Sequence, residues 1–182
     1  MPDATPATDE TATDERPHVV VLCTGNAARS VMAGTLLAAH GVPVRLTTAG
    51  THVVEHQPVS IRTRLALDSV GLHASTHRSR QITDADVMAA DVVVAMASEH
   101  VSYIRRRHPG GADRTATLRF LVDHLSAGAT PLAQRVAALG LADVDPLGQG
   151  DVADPAGGDE QDYVDCAREL SVLIGDLVPR LV

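Results

Sequence analysis

Short, continuously apolar segments separated by segments of helical periodicity constrain the fold of this chain most strongly. The segments VVVL at 19–22 and DVVVAM at 91–96 lack the polar and apolar alternation of a half-exposed strand. Strands of this kind are buried on both faces, as in a parallel sheet covered by helices. The sequence therefore predicts an α/β fold: an open, mostly parallel four-stranded sheet with helices on both faces.

Turn and capping residues divide the chain into further elements. Gly41 and Gly71 follow two segments of helical periodicity, and Pro58 and Pro131 precede two others. Ser98 is predicted to cap a helix that ends in an arginine run. The remaining predicted strands are 44–50 and a short one within 115–121, and the predicted helices are about 30–40, 58–70, 98–107, 131–140 and 162–181.

Size and composition favour one domain. With 182 residues, of which 45% are hydrophobic, the chain is long enough to bury a sizeable core. Residues 1–16 combine Pro, Thr, Asp and Glu with almost no large apolar side chains. We therefore expect a disordered tail over 1–16 and a single domain over 17–182.

The sequence carries no membrane or export signal. No apolar run approaches the roughly 20 residues that cross a bilayer, and the acidic N-terminal segment does not resemble a signal peptide. Two cysteines are too few for a disulfide framework and suit a reducing compartment. We therefore expect a cytoplasmic protein without a membrane partner.

Charge narrows the range of partners. The formal net charge is −8, which disfavours nucleic acid because phosphate backbones require a concentrated basic surface. Lysine does not occur in the chain, which excludes Schiff-base and P-loop lysine chemistry. The one basic run, Arg105–Arg107, either ends a helix where the macrodipole favours cations or forms a docking patch for an acidic partner.

A loop with the spacing C-x5-R-S joins the first apolar strand to the first helix, from Cys23 to Arg29 and Ser30. In open α/β sheets, ligands bind beyond the carboxyl ends of the strands, where the next helix presents unpaired N–H groups and the positive end of its dipole. Gly25 and Asn26 are expected to adopt the positive φ angles that let successive N–H groups surround an anion. Because Arg29 adds a planar fork of donors, the loop is a candidate cradle for a doubly charged oxyanion.

Cys23 is the candidate nucleophile of this cradle. Helix N-termini and neighbouring cations favour the thiolate, so we expect Cys23 to be ionised at neutral pH. The hydroxyl of Ser30 can donate to the sulfur and hold it in the charged form. A purely core-packing role would explain the cysteine, but not the Gly-Asn and Arg-Ser pairs that follow it.

The segment VLCTGNAARS resembles the signature loop of the low-molecular-weight protein tyrosine phosphatase family, whose usual form is V-C-x-G-N-x-C-R-S. LTTAGTH, HRSRQIT and ADVVVAM agree with other segments of that family in order and spacing, so the resemblance covers nearly all of 18–182. It implies a hydrolase of this family's fold that cleaves phosphomonoesters through a phosphocysteine, without metal or cofactor, with protein phosphotyrosine as the expected substrate. The expected partners are a phosphorylated protein or a small phosphomonoester, with phosphate or another oxyanion in the loop.

The same resemblance assigns the site residues by their places in the motif. The catalytic residues that it implies are Cys23, Arg29 and Asp154. The residues that it implies for binding the phosphate are Thr24, Gly25, Asn26, Ala27, Ala28 and Ser30.

The leaving group must receive a proton as its bond to phosphorus breaks, so the mechanism needs a carboxylic acid. The family carries this acid in an Asp-Pro loop before the last helix, and Asp154-Pro155 is similar to that loop. A second pair, Asp145-Pro146, is the alternative, and Asp-Pro pairs also occur in ordinary turns.

Several positions depart from the family pattern. Ala28 replaces the second cysteine of the loop, so a protective disulfide with the nucleophile cannot form, and Val31 replaces the usual proline. Aromatic residues of the phosphotyrosine-specific members are missing after the Ala-Gly-Thr turn and after Asp-Pro. These positions are occupied by Val53, Val54, Ala156 and Gly157, which removes stacking on a substrate ring.

Two other functions are compatible with the cradle: an arsenate reductase and a non-catalytic oxyanion-binding module. The reductase would need an external thiol, because Cys166 lies on the apolar stripe of the last helix and is expected to pack in the core. The pairs His52/His56 and His73/His77 have the i, i+4 spacing of metal ligands on a helix. They fall in predicted loops without a third ligand, so no metal site is predicted.

Overall fold

In the computed structural model, residues 14–74 and 76–182 are described. The predicted tail over 1–16 lies outside the described residues except for 14–16, which form neither helix nor strand. The tail and the single domain over 17–182 therefore stay predictions.

A parallel sheet of four strands forms the centre of the described chain, in the order β2-β1-β3-β4. The strands are β1 (His18–Cys23), β2 (Arg45–Gly50), β3 (Val92–Ala95) and β4 (Thr115–Thr117). Each neighbouring pair is parallel, and Cys23 at the end of β1 lies opposite Gly50 at the end of β2. The predicted α/β fold with a four-stranded sheet is confirmed.

Seven α-helices surround the sheet in the described part of the chain. They are α1 (Arg29–Ala39), α2 (Ile61–Asp68), α3 (Asp84–Ala89), α4 (Ser98–Arg107), α5 (Leu118–His124), α6 (Leu132–Ala137) and α7 (Glu160–Leu181). Two short 3-10 helices, Pro109–Arg114 and Pro146–Gly148, complete the set.

Two of these helices are absent from the sequence-based prediction. Helix α3 has six residues, too few for a helical period to be recognised, and it is held by a capping box between Thr83 and Asp86. Helix α5 begins inside the segment predicted to hold a strand, because the side chain of Thr117 accepts a hydrogen bond from the N–H of Phe120 and starts a helix there.

Two predicted helix starts are corrected by the structure. Helix α2 does not begin at Pro58; the side chain of Ser60 accepts the N–H of Thr63 and caps a helix that starts at Ile61. Ser98 is the first residue of α4 and not its cap, since its N–H donates to the carboxylate of Asp151 at 2.7 Å. Long-range contacts of this kind leave no trace in local sequence.

Alternate residues of the central strands enter two separate apolar clusters, one on each face of the sheet. Val19 and Val21 point into the larger cluster, which includes apolar residues of α1, α5 and α7. Val20 and Leu22 point into the smaller one, with Val87 of α3 and apolar residues of α4. All four of these β1 side chains are fully buried, which explains the continuous apolar run.

The strand order brings the ends of β1 and β3 together at the carboxyl edge of the sheet. The chain leaves β1 towards β2 on one side, whereas β3 lies on the other, and open α/β sheets bind ligands at such a switch point. The N–H of Val152 donates to the carbonyl of Met96 at 2.8 Å, which draws the segment before α7 to the same edge. Within residues 14–74 and 76–182, none of the helices has the length and apolar character to cross a membrane.

Candidate active site

The loop after β1 is shaped by Asn26. Asn26 has a φ of 49°, whereas Gly25 lies outside the left-handed region, so the expectation of positive φ is wrong for the glycine. The fully buried Asn26 side chain accepts the N–H of Arg80 at 3.0 Å and donates to Ser30 Oγ at 2.9 Å. The carbonyl of Asn26 lies 2.8 Å from Nε2 of His77. Asparagine therefore supplies both the turn and the bonds that stabilise it.

The sulfur of Cys23 faces two hydrogen-bond donors at the end of β1. The N–H of Asn26 donates to Sγ at 3.2 Å, and Ser30 Oγ lies 3.0 Å from Sγ. Because Ser30 Oγ already accepts a hydrogen bond from the amide of Asn26, its own hydrogen is available to the sulfur. Both donors are therefore directed at the sulfur from within the loop.

The buried guanidinium of Arg29 joins the loop to the segment before α7. Its Nη1 donates to the carbonyl of Val152 at 3.2 Å, and its Nη2 donates to Asp154 Oδ2 at 2.5 Å. Nη2 also donates to Thr24 Oγ1 at 3.2 Å. Arg29 thus holds the candidate acid and the candidate cradle at one place, with the carboxylate side chain 42% exposed towards solvent.

The two candidate acids occupy different places. Asp154 lies in a segment that is held by the bond from Val152 to Met96, and its Oδ1 accepts the N–H of Ala156 at 3.0 Å. Asp145 accepts the N–H of Leu147 at the start of a 3-10 helix and does not line the cleft that contains Cys23. Of the two Asp-Pro pairs, the structure therefore brings the later one to the cleft that contains Cys23.

A cleft of about 290 Å³ opens above the cradle. It is lined by Cys23, Thr24, Gly25, Ala27, Ala28, Arg29, Ser60, Thr63, Asp154, Ala156 and Tyr163. Three alanines among these residues leave room for a substrate side chain. The predicted site residues are thus brought together, except that Asn26 and Ser30 lie behind the lining and act through their bonds to the sulfur.

Tyr163 is an aromatic residue of the cleft that the sequence analysis missed. It lies in the first turn of α7, where its helical spacing indicated only a core-facing stripe. The guanidinium of Arg62 lies 6.0 Å from the centre of its ring and donates to the carbonyl of Gly158 at 2.9 Å. Val53 and Val54, which stand at the family's aromatic positions, line a neighbouring groove instead.

His100 is a second residue that the sequence did not single out. It lies in the first turn of α4, is 1% exposed, and places Nε2 2.9 Å from Thr24 Oγ1. Burial, followed by the charge of Arg29, lowers the pKa of His100 to about 4, so the ring is neutral at pH 7. A neutral ring can share a hydrogen bond with the hydroxyl that Arg29 also contacts.

Gly50 supports the cradle from the end of β2. A Cβ atom at this position would lie 2.5 Å from the carbonyl oxygen of Thr24 and 2.8 Å from the nitrogen of Asn26. Both distances are shorter than any normal contact, so only glycine lets the strand approach the loop this closely. The glycine of the Ala-Gly-Thr turn is therefore part of the site's framework.

Cys166, His73 and His52 make packing and hydrogen-bonding contacts that account for them as structural residues. Cys166 is buried on α7, its Sγ lies 3.8 Å from the carbonyl of Ala153, and burial raises the pKa of its thiol to about 12. His73 contacts the carboxylate of Asp68 at 2.6 Å, and His52 packs its ring edge-on against Tyr103.

Comparison with known proteins relates the chain to one family. The family model described as low molecular weight phosphotyrosine protein phosphatase matches residues 18–132. The chain is 31% identical over 165 residues to a protein-arginine-phosphatase of Geobacillus stearothermophilus, an alignment that covers 90% of this chain and 95% of the relative.

Solved structures share the fold. The YwlE arginine phosphatase from Geobacillus stearothermophilus matches with a TM-score of 0.71 at 31% identity, covering 89% of this chain and 90% of that one. The tyrosine phosphatase Wzb from Escherichia coli K30, solved in complex with sulphate, matches with a TM-score of 0.73 over 92% of this chain and 99% of its own. At 17% identity, this second likeness is one of fold.

Proposed function

Because the chain belongs to the low molecular weight phosphotyrosine protein phosphatase family and is a cysteine-dependent phosphatase, we propose that it acts on phosphorylated side chains of proteins. In this proposal Cys23 is the nucleophile, Arg29 binds the phosphoryl oxygens and Asp154 is the general acid. The observation that carries it is the sulfur of Cys23, which faces the N–H of Asn26 and the hydroxyl of Ser30 in the cleft that Asp154 lines.

The first chemical step transfers the phosphoryl group to sulfur. The thiolate of Cys23 attacks phosphorus, a sulfur–phosphorus bond forms, and the bond from phosphorus to the leaving atom breaks. Asp154 gives its proton to that leaving atom. The N–H groups of the loop and the guanidinium of Arg29 stabilise the charge that collects on the phosphoryl oxygens.

The second step returns the enzyme to its starting state. Water attacks the phosphocysteine, Asp154 accepts the proton of that water, and the sulfur–phosphorus bond breaks to release phosphate and the thiolate. Ser30 and Asn26 make this sulfur a better leaving group, because their hydrogen bonds stabilise its negative charge.

Phosphoarginine is the substrate class that we favour. A protein-arginine-phosphatase matches nearly the whole chain, and an arginyl side chain needs no aromatic wall for stacking. Ala27, Ala28 and Ala156 keep the cleft open and apolar around such a side chain. Protonation by Asp154 would release the leaving guanidine as guanidinium.

Phosphotyrosine is the second candidate, and Tyr163 supports it. The ring of Tyr163 lines the cleft, so it can contact a substrate ring although the family's usual aromatic positions hold Val53 and Ala156. The two substrate classes share the cradle and differ only in the walls of the cleft.

Phosphate release from two peptides of identical flanking sequence, one with phosphoarginine and one with phosphotyrosine, tests the proposal. We expect the wild-type protein to hydrolyse the phosphoarginine peptide with the higher kcat/KM, and Cys23→Ser to lose activity on both. Cys166→Ser changes the other cysteine in the same way and should retain activity. A higher kcat/KM for the phosphotyrosine peptide would favour the second candidate, and hydrolysis of neither peptide would contradict a protein substrate.

The wild-type protein and Cys23→Ser also test the alternative function, an arsenate reductase that uses an external thiol. Consumption of a small thiol that depends on arsenate and on Cys23 would support it over the phosphatase reaction.

For the location of the protein we propose the cytoplasm, because a reducing compartment keeps the nucleophilic cysteine as a thiol or thiolate.

A further inference from the structure

A groove of about 940 Å³ lies beside the candidate active site. One wall is the loop after β2, from Thr51 to Val54. Another is the end of α4, with Tyr103, Arg106 and Arg107. Its lining residues are Thr51, His52, Val53, Val54, Gln81, Ile82, Asp84, Tyr103, Arg106, Arg107 and His108. This groove takes no part in the chemistry described above.

A small cavity of about 110 Å³ lies between the groove and the cradle and adjoins both. That cavity shares Thr24 with the cleft above Cys23, and it shares His52, Tyr103 and Arg106 with the groove. A polypeptide whose phosphorylated residue enters the cleft can therefore continue along the groove.

Hydrogen bonding and ring packing hold the side chains of the groove floor in place. The hydroxyl of Tyr103 accepts a hydrogen bond from the amide of Gln81 at 3.1 Å. The rings of His52 and His108 lie 5.2 and 5.8 Å from that of Tyr103, between centroids. Val54, which is 73% exposed, adds an apolar surface at the edge of the groove.

The three arginines at the end of α4 have different environments. Arg105 turns away from the groove and donates to the carbonyls of Leu141 and Val144 at 2.5 and 2.6 Å, so it has a structural role. Arg106 and Arg107 are exposed, and within the described ranges neither has a carboxylate oxygen within 4.0 Å.

The remaining charges leave the groove cationic. Against the two positive charges of Arg106 and Arg107, the lining holds one carboxylate, that of Asp84, which lies 2.6 Å from Nδ1 of His108. The chain as a whole carries a formal charge of −8, whereas the described residues place no carboxylate within 4.0 Å of these two arginines beside the cradle. Such a surface attracts acidic segments that the rest of the protein repels.

We propose that this groove binds an acidic segment of the protein substrate, next to its phosphorylated residue in sequence, through Arg106 and Arg107. The inference rests on the proposed function, because it requires a polypeptide substrate in the cleft. Since these contacts lie away from the reacting atoms, they stabilise the bound substrate and the transition state equally, so they lower KM without raising kcat.

The experiment compares two phosphopeptides that carry the same phosphorylated residue, one flanked by Asp and Glu and one flanked by Ala and Gly. The wild-type protein should have the higher kcat/KM on the acidic peptide, and the preference should shrink as NaCl is raised. In R106E/R107E the ratio of the two kcat/KM values should fall by about 10-fold, mostly through KM. The double variant R64E/R168E makes the same charge change at exposed arginines outside the groove and should keep the wild-type ratio.

Three outcomes would overturn the groove proposal: no acidic preference in the wild-type protein, an unchanged ratio in R106E/R107E, or an equal fall in R64E/R168E. Hydrolysis of p-nitrophenyl phosphate by the wild-type protein reports separately on the phosphatase chemistry. If that hydrolysis occurs without an acidic preference, only the groove proposal fails. If p-nitrophenyl phosphate and both peptides are left intact, the proposed function fails with it.

Discussion

Hydrogen bonds to the sulfur of Cys23 explain why asparagine and serine occupy their positions in the loop. Asn26 donates its backbone N–H to the sulfur and its side-chain amide to Ser30, and its side-chain oxygen accepts the N–H of Arg80. Alanine at position 26 would lose these side-chain bonds and would be strained at a φ of 49°. Both the backbone geometry and the hydrogen bonds therefore favour asparagine at position 26.

Removal of the carboxylate of Asp154 tests its role as general acid. In Asp154→Ala, kcat for phenyl phosphate should fall by about 10² to 10⁴-fold, because a poor leaving group depends on protonation. An activated ester such as 2,4-dinitrophenyl phosphate should be affected far less. Steady-state kinetics on both esters give the comparison.

Asp145→Ala is the matched control for this substitution. It removes an aspartate that also precedes proline but caps a 3-10 helix away from the cleft, so both esters should be hydrolysed as by the wild-type protein. An equal loss on the two esters in Asp154→Ala would remove Asp154 from the role of acid.

Neighbouring elements hold the candidate acid and the cradle in place. Asp151 accepts the N–H of Ser98 at the start of α4, and Val152 donates to the carbonyl of Met96 directly after β3. The carboxylate of Asp154, in the same segment, reaches Arg29. The loop on the other side is backed by Gly50 of β2. The site is therefore positioned by secondary-structure elements from three distant parts of the chain.

Gly50→Ala tests the support that β2 gives the cradle. The added Cβ would meet backbone atoms of Thr24 and Asn26, which cannot rotate away as a side chain can. A displacement near 1 Å in the cradle is expected to lower kcat/KM by roughly 10²-fold. Kinetics on p-nitrophenyl phosphate and denaturation by urea measure the effects on activity and stability.

Gly34→Ala adds the same methyl group elsewhere and separates these effects. Its Cβ would lie 2.5 Å from the methyl of Thr48, a side-chain atom between α1 and β2, so overpacking should destabilise the fold by about 1 to 3 kcal/mol. Its effect on kcat/KM should be smaller than that of Gly50→Ala. Equal activities of the two variants would argue against a direct contact of Gly50 with the cradle.

For the whole molecule, the burial of His100 in its neutral form makes the free energy of unfolding depend on pH. His100 is enclosed between α4 and the loop after β1, with a pKa of about 4 caused by burial and then by the charge of Arg29. The unfolded chain exposes this ring, whose pKa then returns to about 6.5. Between these two values, unfolding takes up a proton.

The unfolding free energy should therefore decrease as the pH falls from 7 to 5. The depressed pKa of His100 contributes a loss of about 2 kcal/mol over this interval, because the proton binds to the unfolded state and not to the folded one. In His100→Gln this contribution is absent, so the decrease should be smaller by that amount. Urea denaturation at both pH values provides the measurement.

His40→Gln changes an exposed histidine after α1 and should reproduce the pH dependence of the wild-type protein. If His100→Gln is too unstable at pH 5, His100→Asn provides the same comparison with a smaller side chain. An unchanged pH dependence in both His100 variants would show that the ring is not held neutral by the fold.

Much of the site could be predicted because it is local in sequence. Cys23, Asn26, Arg29 and Ser30 follow one another on a strand, a loop and the start of a helix, and the apolar runs of the strands indicated the sheet. A loop of this kind is formed by the residues that it contains, so its function can be inferred from their order and spacing.

Tertiary structure alone decided what meets this loop. The approach of Gly50, the place of His100 beside Thr24, the ring of Tyr163 in the cleft and the difference between Arg105 and its two neighbours all depend on elements far apart in sequence. The sequence favoured Asp154 over Asp145 by its place before the last helix, whereas the contact of its carboxylate with Arg29 is visible only in the structure. Local sequence determines the conformation that each segment prefers, whereas burial and hydrogen bonding between distant segments determine which side chains share a site.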